Sequence, residues 1–189
     1  MTAWDDAFAV VPLVHLPVVQ GQRVLAVGPA AMSLAVTSLR YPTTVEVAVV
    51  GIPGMPTVDP RVRTIKELRD LPPGWMADLV GVATPVLSED LLNQIHMRQN
   101  ALTGVAVFAA PGPAAVRPLK DALRSRWSTL QPYREWTGEA VPSWFILAAD
   151  HGFKRYRPVP SWPTRLSEKY LPALFTLSKD EYAAAYGGS

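Results

Sequence analysis

The fold class predicted for this chain is α/β: a single doubly wound, mostly parallel sheet with an antiparallel C-terminal edge. Three observations predict it. Short apolar runs without polar alternation recur along the sequence, as strands buried on both faces require. Stretches with helical spacing and helix start signals separate those runs. Two late β-like runs then follow each other with no long helix between them, which leaves an antiparallel hairpin as their connection.

Taken in order, residues 1–21 are an apolar, proline-punctuated lead-in, residues 22–150 hold the α/β domain, and residues 151–189 form a proline- and aromatic-rich tail packed on it or extending from it. Residues 23–28 (RVLAVG) read as a buried strand ending in glycine. Small and apolar residues at 30–39 read as a helix, stopped by Tyr41-Pro42. Residues 45–50 are a second buried strand. Residues 51–64, with their prolines and glycines, read as loop, and 65–71 as a short helix closed by Pro72-Pro73-Gly74. A third strand spans 78–83. Ser88 is placed as an N-cap with Glu89 and Asp90 in the first turn, where the helix dipole favours acids. Leu91, Leu92, Ile95, Gln99 and Leu102 continue at helical spacing, so the helix is expected over 88–101 with Gly104 as its C′ residue. A fourth strand covers 105–110. A basic amphipathic helix is expected over 114–127, with Pro118 in its first turn. Residues 129–133 and 143–149 are the late β runs, and 179–186 suit a short helix in the tail.

Composition bounds the function. A length of 189 residues suits one domain. An apolar share of 49% against 18% charged excludes a disordered, polyelectrolyte or coiled-coil chain. The absence of cysteine excludes a disulfide framework, a thiolate metal site and a cysteine nucleophile. The apolar stretch 10–19 is broken by Pro12, His15 and Pro17, is too short to span a bilayer and lacks a basic start. The expectation is a soluble protein in the cytoplasm or an intracellular assembly, not secreted by a signal of its own and with no membrane partner. Residues 1–100 carry net charge −2 and residues 101–189 net +4, so the C-terminal half is mildly basic. This reads as an ordinary mixed surface, with an anionic partner as the alternative.

Several segments resemble the aminopropyltransferase (spermidine synthase) family, whose fold is that of the S-adenosylmethionine-dependent methyltransferases. Residues 22–28 (QRVLAVG) are similar to the family's first strand and glycine-loop start. Residues 58–62 (VDPRV) resemble its "DPRV", residues 78–85 (DLVGVATP) its "DVIIVDSxDP", and 87–91 (LSEDL) the helix start that follows. Residues 102–107 (LTGVAV) resemble "LKPGGVLV", Pro132-Tyr133-Arg134 with 143–148 the late hairpin, and 165–177 the "RYYxPEIHxAAFxLP" tail. Asp5-Asp6-Ala7-Phe8 with 12–17 resembles the stretch before strand one. The matches are colinear over most of the chain. They imply a methyltransferase-like Rossmann domain.

The departures from that pattern bear on chemistry. The family's "GGGDGG" loop lets the backbone approach a nucleoside. Here the segment is Gly28-Pro29-Ala30-Ala31-Met32-Ser33, so Gly28 remains only as a relic of the cofactor loop, and Pro29 removes a donor. The acid that grips ribose hydroxyls after strand two is replaced by Val49-Val50-Gly51-Ile52. Ala83 occupies the position of the general base, which must be a titratable group. The "YHEM" segment falls on apolar Ala9-Val10-Val11. On this resemblance the chain is expected to lack most of the family's N-terminal β domain. The resemblance therefore implies a fold retained after its chemistry was lost, with no catalytic residue, no cofactor and no metal.

Other candidates are weaker. Asp78 reads as structural. Glu89 and Asp90 form an acid–base pair only in the alternative to dipole stabilisation. His15, His96 and His151 have no metal-ligand spacing, and Ser33 and Ser88 lack a nucleophile-elbow context. Phe153-Lys154-Arg155-Tyr156-Arg157 is a basic–aromatic cluster suited to phosphate contact and base stacking in one reading, and to a solvated loop in the other. Tyr156, Arg157, Trp162, Arg165 and Tyr170 in the tail, with Trp136, are candidates for a protein–protein contact. The functional expectation is a non-catalytic structural or interaction subunit of a larger assembly, a virus particle among them, with other protein subunits as partners. The alternatives are a surviving aminopropyl- or methyltransferase with a rearranged site, and a nucleic-acid-associated protein using the basic C-terminal half.

Overall fold

The structure is a computed structural model, and it describes residues 22–39, 42–52, 59–110, 112–135 and 143–150. Among the described residues, strand β1 (Gln22–Val27) is the third strand of a seven-stranded sheet. Its neighbours, β2 (Thr44–Val50) and β4 (Leu79–Val82), are both parallel to it. Strand β3 (Val62–Ile65) lies parallel beyond β2, and β5 (Val105–Ala110) parallel beyond β4. Strand β7 (Ser143–Ala149) runs antiparallel to β5, and β6 (Thr129–Glu135) closes the sheet antiparallel to β7. The order is β3-β2-β1-β4-β5-β7-β6, which confirms the doubly wound, mostly parallel sheet with an antiparallel C-terminal edge.

The strands form where the apolar runs predict them because both sheet faces are covered. Val24, Ala26, Val47 and Val49 point into one core, with Ala31, Leu34 and Ala35 from helix α1 (Met32–Ser38) and its preceding 3₁₀ turn (Pro29–Ala31). Leu25, Val27, Ala48 and Val50 point into the other, against Leu92 and Ile95 of α2 (Glu89–Arg98) and Leu123 of α3 (Pro113–Leu123). A strand with no solvent face has no position for a polar residue, hence the unbroken apolar runs.

The structure departs from the sequence expectations in four places. Residues 62–65, expected as loop to 64 and as the start of a helix at 65, form β3, and the rest of the helix expected over 65–71 is one 3₁₀ turn at Leu68–Asp70 with a Glu67/Asp70 capping box. β3 is an edge strand with Arg63 and Thr64 exposed, so its pattern lacks the apolar run. Its entry is held by Arg61, whose guanidinium donates to Asp59, to Leu39 O (2.8 Å) and to Thr44 O (3.3 Å). The hydrogen bonds from the Arg61 side chain and backbone hold the Asp59 carboxyl down at about 2. Next, α2 ends at Arg98 rather than 101. Gln99 turns extended to bridge Ala77, and Leu102, expected on a helix face, is 84% exposed. Gly104 is not a helix C′ residue. It closes the following turn, where an added Cβ would stand 2.5 Å from Asn100 O. Finally, α3 runs over Pro113–Leu123, not 114–127, which puts Pro118 in the second turn, exposed on the solvent side.

The early ends of α2 and α3 share a cause. Leaving the helices lets Gln99 and Trp127 meet inside the second core. The Trp127 indole N–H donates to Gln99 Oε1 (2.7 Å), and the Gln99 amide donates to Gly104 O (2.8 Å) and Ala148 O (3.1 Å). The indole also stacks edge-on against Phe108 (5.2 Å) and His96 (5.1 Å). Gln99 is therefore buried at no hydrogen-bonding cost on its amide. Trp127→Phe should cost about 2–3 kcal/mol, through an orphaned Gln99 Oε1 and lost packing, read from urea denaturation. A change near zero would show that the pair contributes nothing net.

On the second face, Glu46 of β2 accepts from the Trp75 indole (2.8 Å) and Arg63 (2.7 Å) and faces Arg23. Burial raises the Glu46 pKa, but those hydrogen bonds and the two cations outweigh it and hold the carboxyl below its usual range.

Candidate ligand crevice at the strand ends

In an open α/β sheet the ligand site lies beyond the C-terminal strand ends where the order reverses. That point falls here between β1 and β4, at Val27-Gly28-Pro29 and Val82-Ala83-Thr84, with Val50-Gly51-Ile52 of β2 beside them. The strand ends are stitched together by backbone bonds. Gly28 N–H donates to Val50 O, and Ala83 N–H to Val27 O, each at 2.9 Å.

Gly28 has φ +92° and ψ 158°, a backbone region that is essentially glycine-only. A Cβ built there would lie 2.2 Å from Ala83 O and 3.0 Å from Thr84 Cβ. Glycine is thus required because the β1 turn presses on the β4 backbone. Pro29 then opens the 3₁₀ turn as its first residue, contributing no N–H toward the crevice. Ala83, at the expected base position, is 1% exposed and packs in the first core with Ala31, Val49 and Ile52. The ribose-acid position is likewise apolar, with Val50 and Ile52 both buried.

The carboxylates lie elsewhere. Among the described residues, none stands at the C-terminal end of β1, β2 or β4. Asp78 sits at the opposite, N-terminal edge of the sheet. Its oxygens accept from Arg23 N–H (3.0 Å), Thr103 Oγ1 (3.2 Å) and Asn100 Nδ2 (3.4 Å), tying β1 and β4 to the turn before β5, the structural role expected for it. Ser88 caps α2 as expected, its hydroxyl accepting from Leu91 N–H (3.1 Å). Glu89 and Asp90 follow it, but Glu89 pairs with Arg126 and Asp90 accepts from Gln94, so the two do not face each other as acid and base. Glu67 and Asp70, after β3, are held in their capping box.

His96, in the last turn of α2, contacts the Asp150 carboxylate (2.8 Å) beyond the end of β7, again at the far edge. The sequence reading gave no hint of this pair, since 54 residues separate its members. Among the described residues no group of three or more His, Asp or Glu stands where it would hold a metal ion. Trp136, Tyr156, Arg157, Trp162, Arg165 and Tyr170, like His15, His151 and the helix expected at 179–186, lie outside the described residues.

Strand order, crossover point and helix placement define the class: a methyltransferase-like Rossmann fold of the spermidine-synthase type. Within it, the similar solved structures include a spermidine synthase in complex with the transition-state analogue AdoDATO and the spermidine synthase of Thermotoga maritima. Each is 11% identical over 98% of this chain and 71% of the other, with TM-scores of 0.70 and 0.69. The precorrin-6y C5,15-methyltransferase of Geobacter metallireducens GS-15 is 17% identical over 76% of this chain and 87% of its own, with TM-score 0.55. At these identities the likeness is one of fold. No protein-family model and no curated protein matches the chain in sequence. No helix among the described residues is long and apolar enough to cross a membrane.

Proposed function

We propose that the chain is a non-catalytic protein on a spermidine-synthase-like fold, serving as a structural or interaction subunit of a larger assembly, a virus particle or a cellular complex. The observation that carries this reading is Ala83, a methyl group buried in the core at the position where the resemblance to the aminopropyltransferases would put a titratable base. Two neighbours support it: Pro29 where the cofactor loop would supply an N–H, and Val50 and Ile52 where an acid would grip ribose. Three changes after separate strands, β1, β2 and β4, together with the apolar Ala9-Val10-Val11 in the sequence, favour loss of chemistry over its rearrangement. The partner surface in this reading is the tail with Tyr156, Arg157, Trp162, Arg165 and Tyr170, together with Trp136. Aromatic and arginine side chains carry most interface energy, and the tail's prolines lower its ordering cost.

The test is calorimetric titration of the full chain with S-adenosylmethionine and with its decarboxylated form, followed by a labelled-transfer assay to putrescine. Neither cofactor should give saturable heat at millimolar concentration. A micromolar Kd or any transfer would restore the enzyme reading. Salt-sensitive binding of DNA or RNA would move the assignment to a nucleic-acid role.

A further inference from the structure

One flank of α3 is basic and open to solvent. Val116, Leu119 and Leu123 turn the apolar side of this helix into the second core. Arg117, Lys120 and Arg124, the last of them the C-cap residue, follow at i, i+3 and i+7, so they share one flank beside that apolar side. The two arginines are exposed and Lys120 is half-buried. Among the described residues neither Arg117 nor Lys120 has an ion-pair partner, and Arg124 pairs with Asp121 at 3.6 Å. Arg126 shows the contrast. It turns to α2, donates to Asn93 Oδ1 (2.7 Å), pairs with Glu89 and is 11% exposed. We propose that the Arg117-Lys120-Arg124 flank is a docking surface for a carboxylate-rich segment of a partner protein.

The chemistry of the flank selects the occupant. Arg117 to Arg124 spans about 10 Å of helix, a length that three carboxylates on one face of a partner helix match. Arginine is enriched where proteins meet, and its planar fork takes a carboxylate through two parallel hydrogen bonds. The exposed neighbours Ala114, Pro118 and Ala122 carry no bulk to hold such a segment off. Nucleic acid fits less well. A duplex sets a phosphate about every 3.4 Å along each strand, so a row of them would also meet Asp121, whose side chain is 55% exposed beside the cations. A single strand is held by bases stacked on aromatic rings, and α3 has none. The inference rests on the reading of the chain as an interaction subunit and adds to it a surface separate from the tail. The cofactor titration reads the crevice alone, so the two fail separately.

The test is retention of the full chain on immobilised polyglutamate and on immobilised duplex DNA, each eluted by a sodium chloride gradient. The unaltered protein should be held on polyglutamate at about 25 mM salt, where exposed charges are little screened, and should elute from it later than from DNA. The triple variant Arg117→Gln, Lys120→Gln, Arg124→Gln should lose that retention. The triple variant Arg63→Gln, Lys66→Gln, Arg69→Gln, which removes the same charge at and after β3, should keep it. Arg117→Glu alone should move elution toward that of the first triple variant, and urea midpoints confirm that each variant folds. Equal loss in the two triple variants would show attraction by net charge alone and overturns the proposal. Later elution from DNA overturns it in favour of a nucleic-acid partner, and flow-through of the unaltered protein on polyglutamate overturns it outright.

Discussion

Gly28→Ala is expected to destabilise the protein by about 3–5 kcal/mol, a large fraction of the margin that usually holds a domain folded. Two costs add. The φ/ψ pair at Gly28 is one that L residues rarely adopt, worth of order 1–3 kcal/mol by itself. The new Cβ would also sit 2.2 Å from Ala83 O, and that neighbour is strand backbone rather than a flexible side-chain end. The two strands would have to part, weakening the β1–β4 pairing at the centre of the sheet. Gly74→Ala separates the terms, because Gly74 has φ +76° but nothing within 4 Å of a built Cβ. It should cost only about 1 kcal/mol. Urea midpoints for both variants make the comparison, and equal losses would show that the contact with Ala83 is not what demands glycine.

Ala83→Asp is the second large effect. A chain that had lost only its base would regain activity from this change. Here the carboxylate enters a core of Ala31, Val49 and Ile52, with no cation or polar side chain among those neighbours. Burial pushes such a carboxyl upward from its ordinary value of about 3.9. The native state then holds a proton that the unfolded state has released, so stability falls as pH rises between the unfolded and folded pKa values. The loss should be about 3–5 kcal/mol at pH 7 and visibly smaller near pH 4. On the proposed function no aminopropyl transfer should appear, because groups that act as a unit in a transferase cannot be restored one at a time. A stable variant with pH-independent melting, or one with turnover, would mean that position 83 opens onto an intact, solvated site.

What the sequence revealed and what it hid follow from the range of the forces involved. Residues 23–28, 45–50 and 105–110 could be read because a strand buried on both faces writes its environment into every position. Ser88 could be read because capping is local. β3 was hidden because an edge strand with Arg63 and Thr64 facing water has no such signature. Gln99 and Trp127 were hidden because their meeting overrides two helices that local propensity would have continued. At the crevice, the family resemblance singled out position 83, and the structure places Ala83 just past β4, buried in the core. The need for glycine at 28 was not legible, since it arises from the backbone of a strand 55 residues further along. The His96–Asp150 pair has the same cause.

The antiparallel edge has a consequence for synthesis on the ribosome. β5 is complete at Ala110, but the strand that satisfies its outer hydrogen-bonding groups begins only at Ser143. At 5–20 residues per second the intervening chain takes roughly 2–7 s to emerge. Through that interval the nascent sheet presents β5, with apolar side chains on both faces, as an open template for any extended strand nearby. The C-terminal hairpin therefore does more than complete the fold: β7 occupies that template, and β6, which carries Pro132 and so one N–H fewer, becomes the final edge in its place.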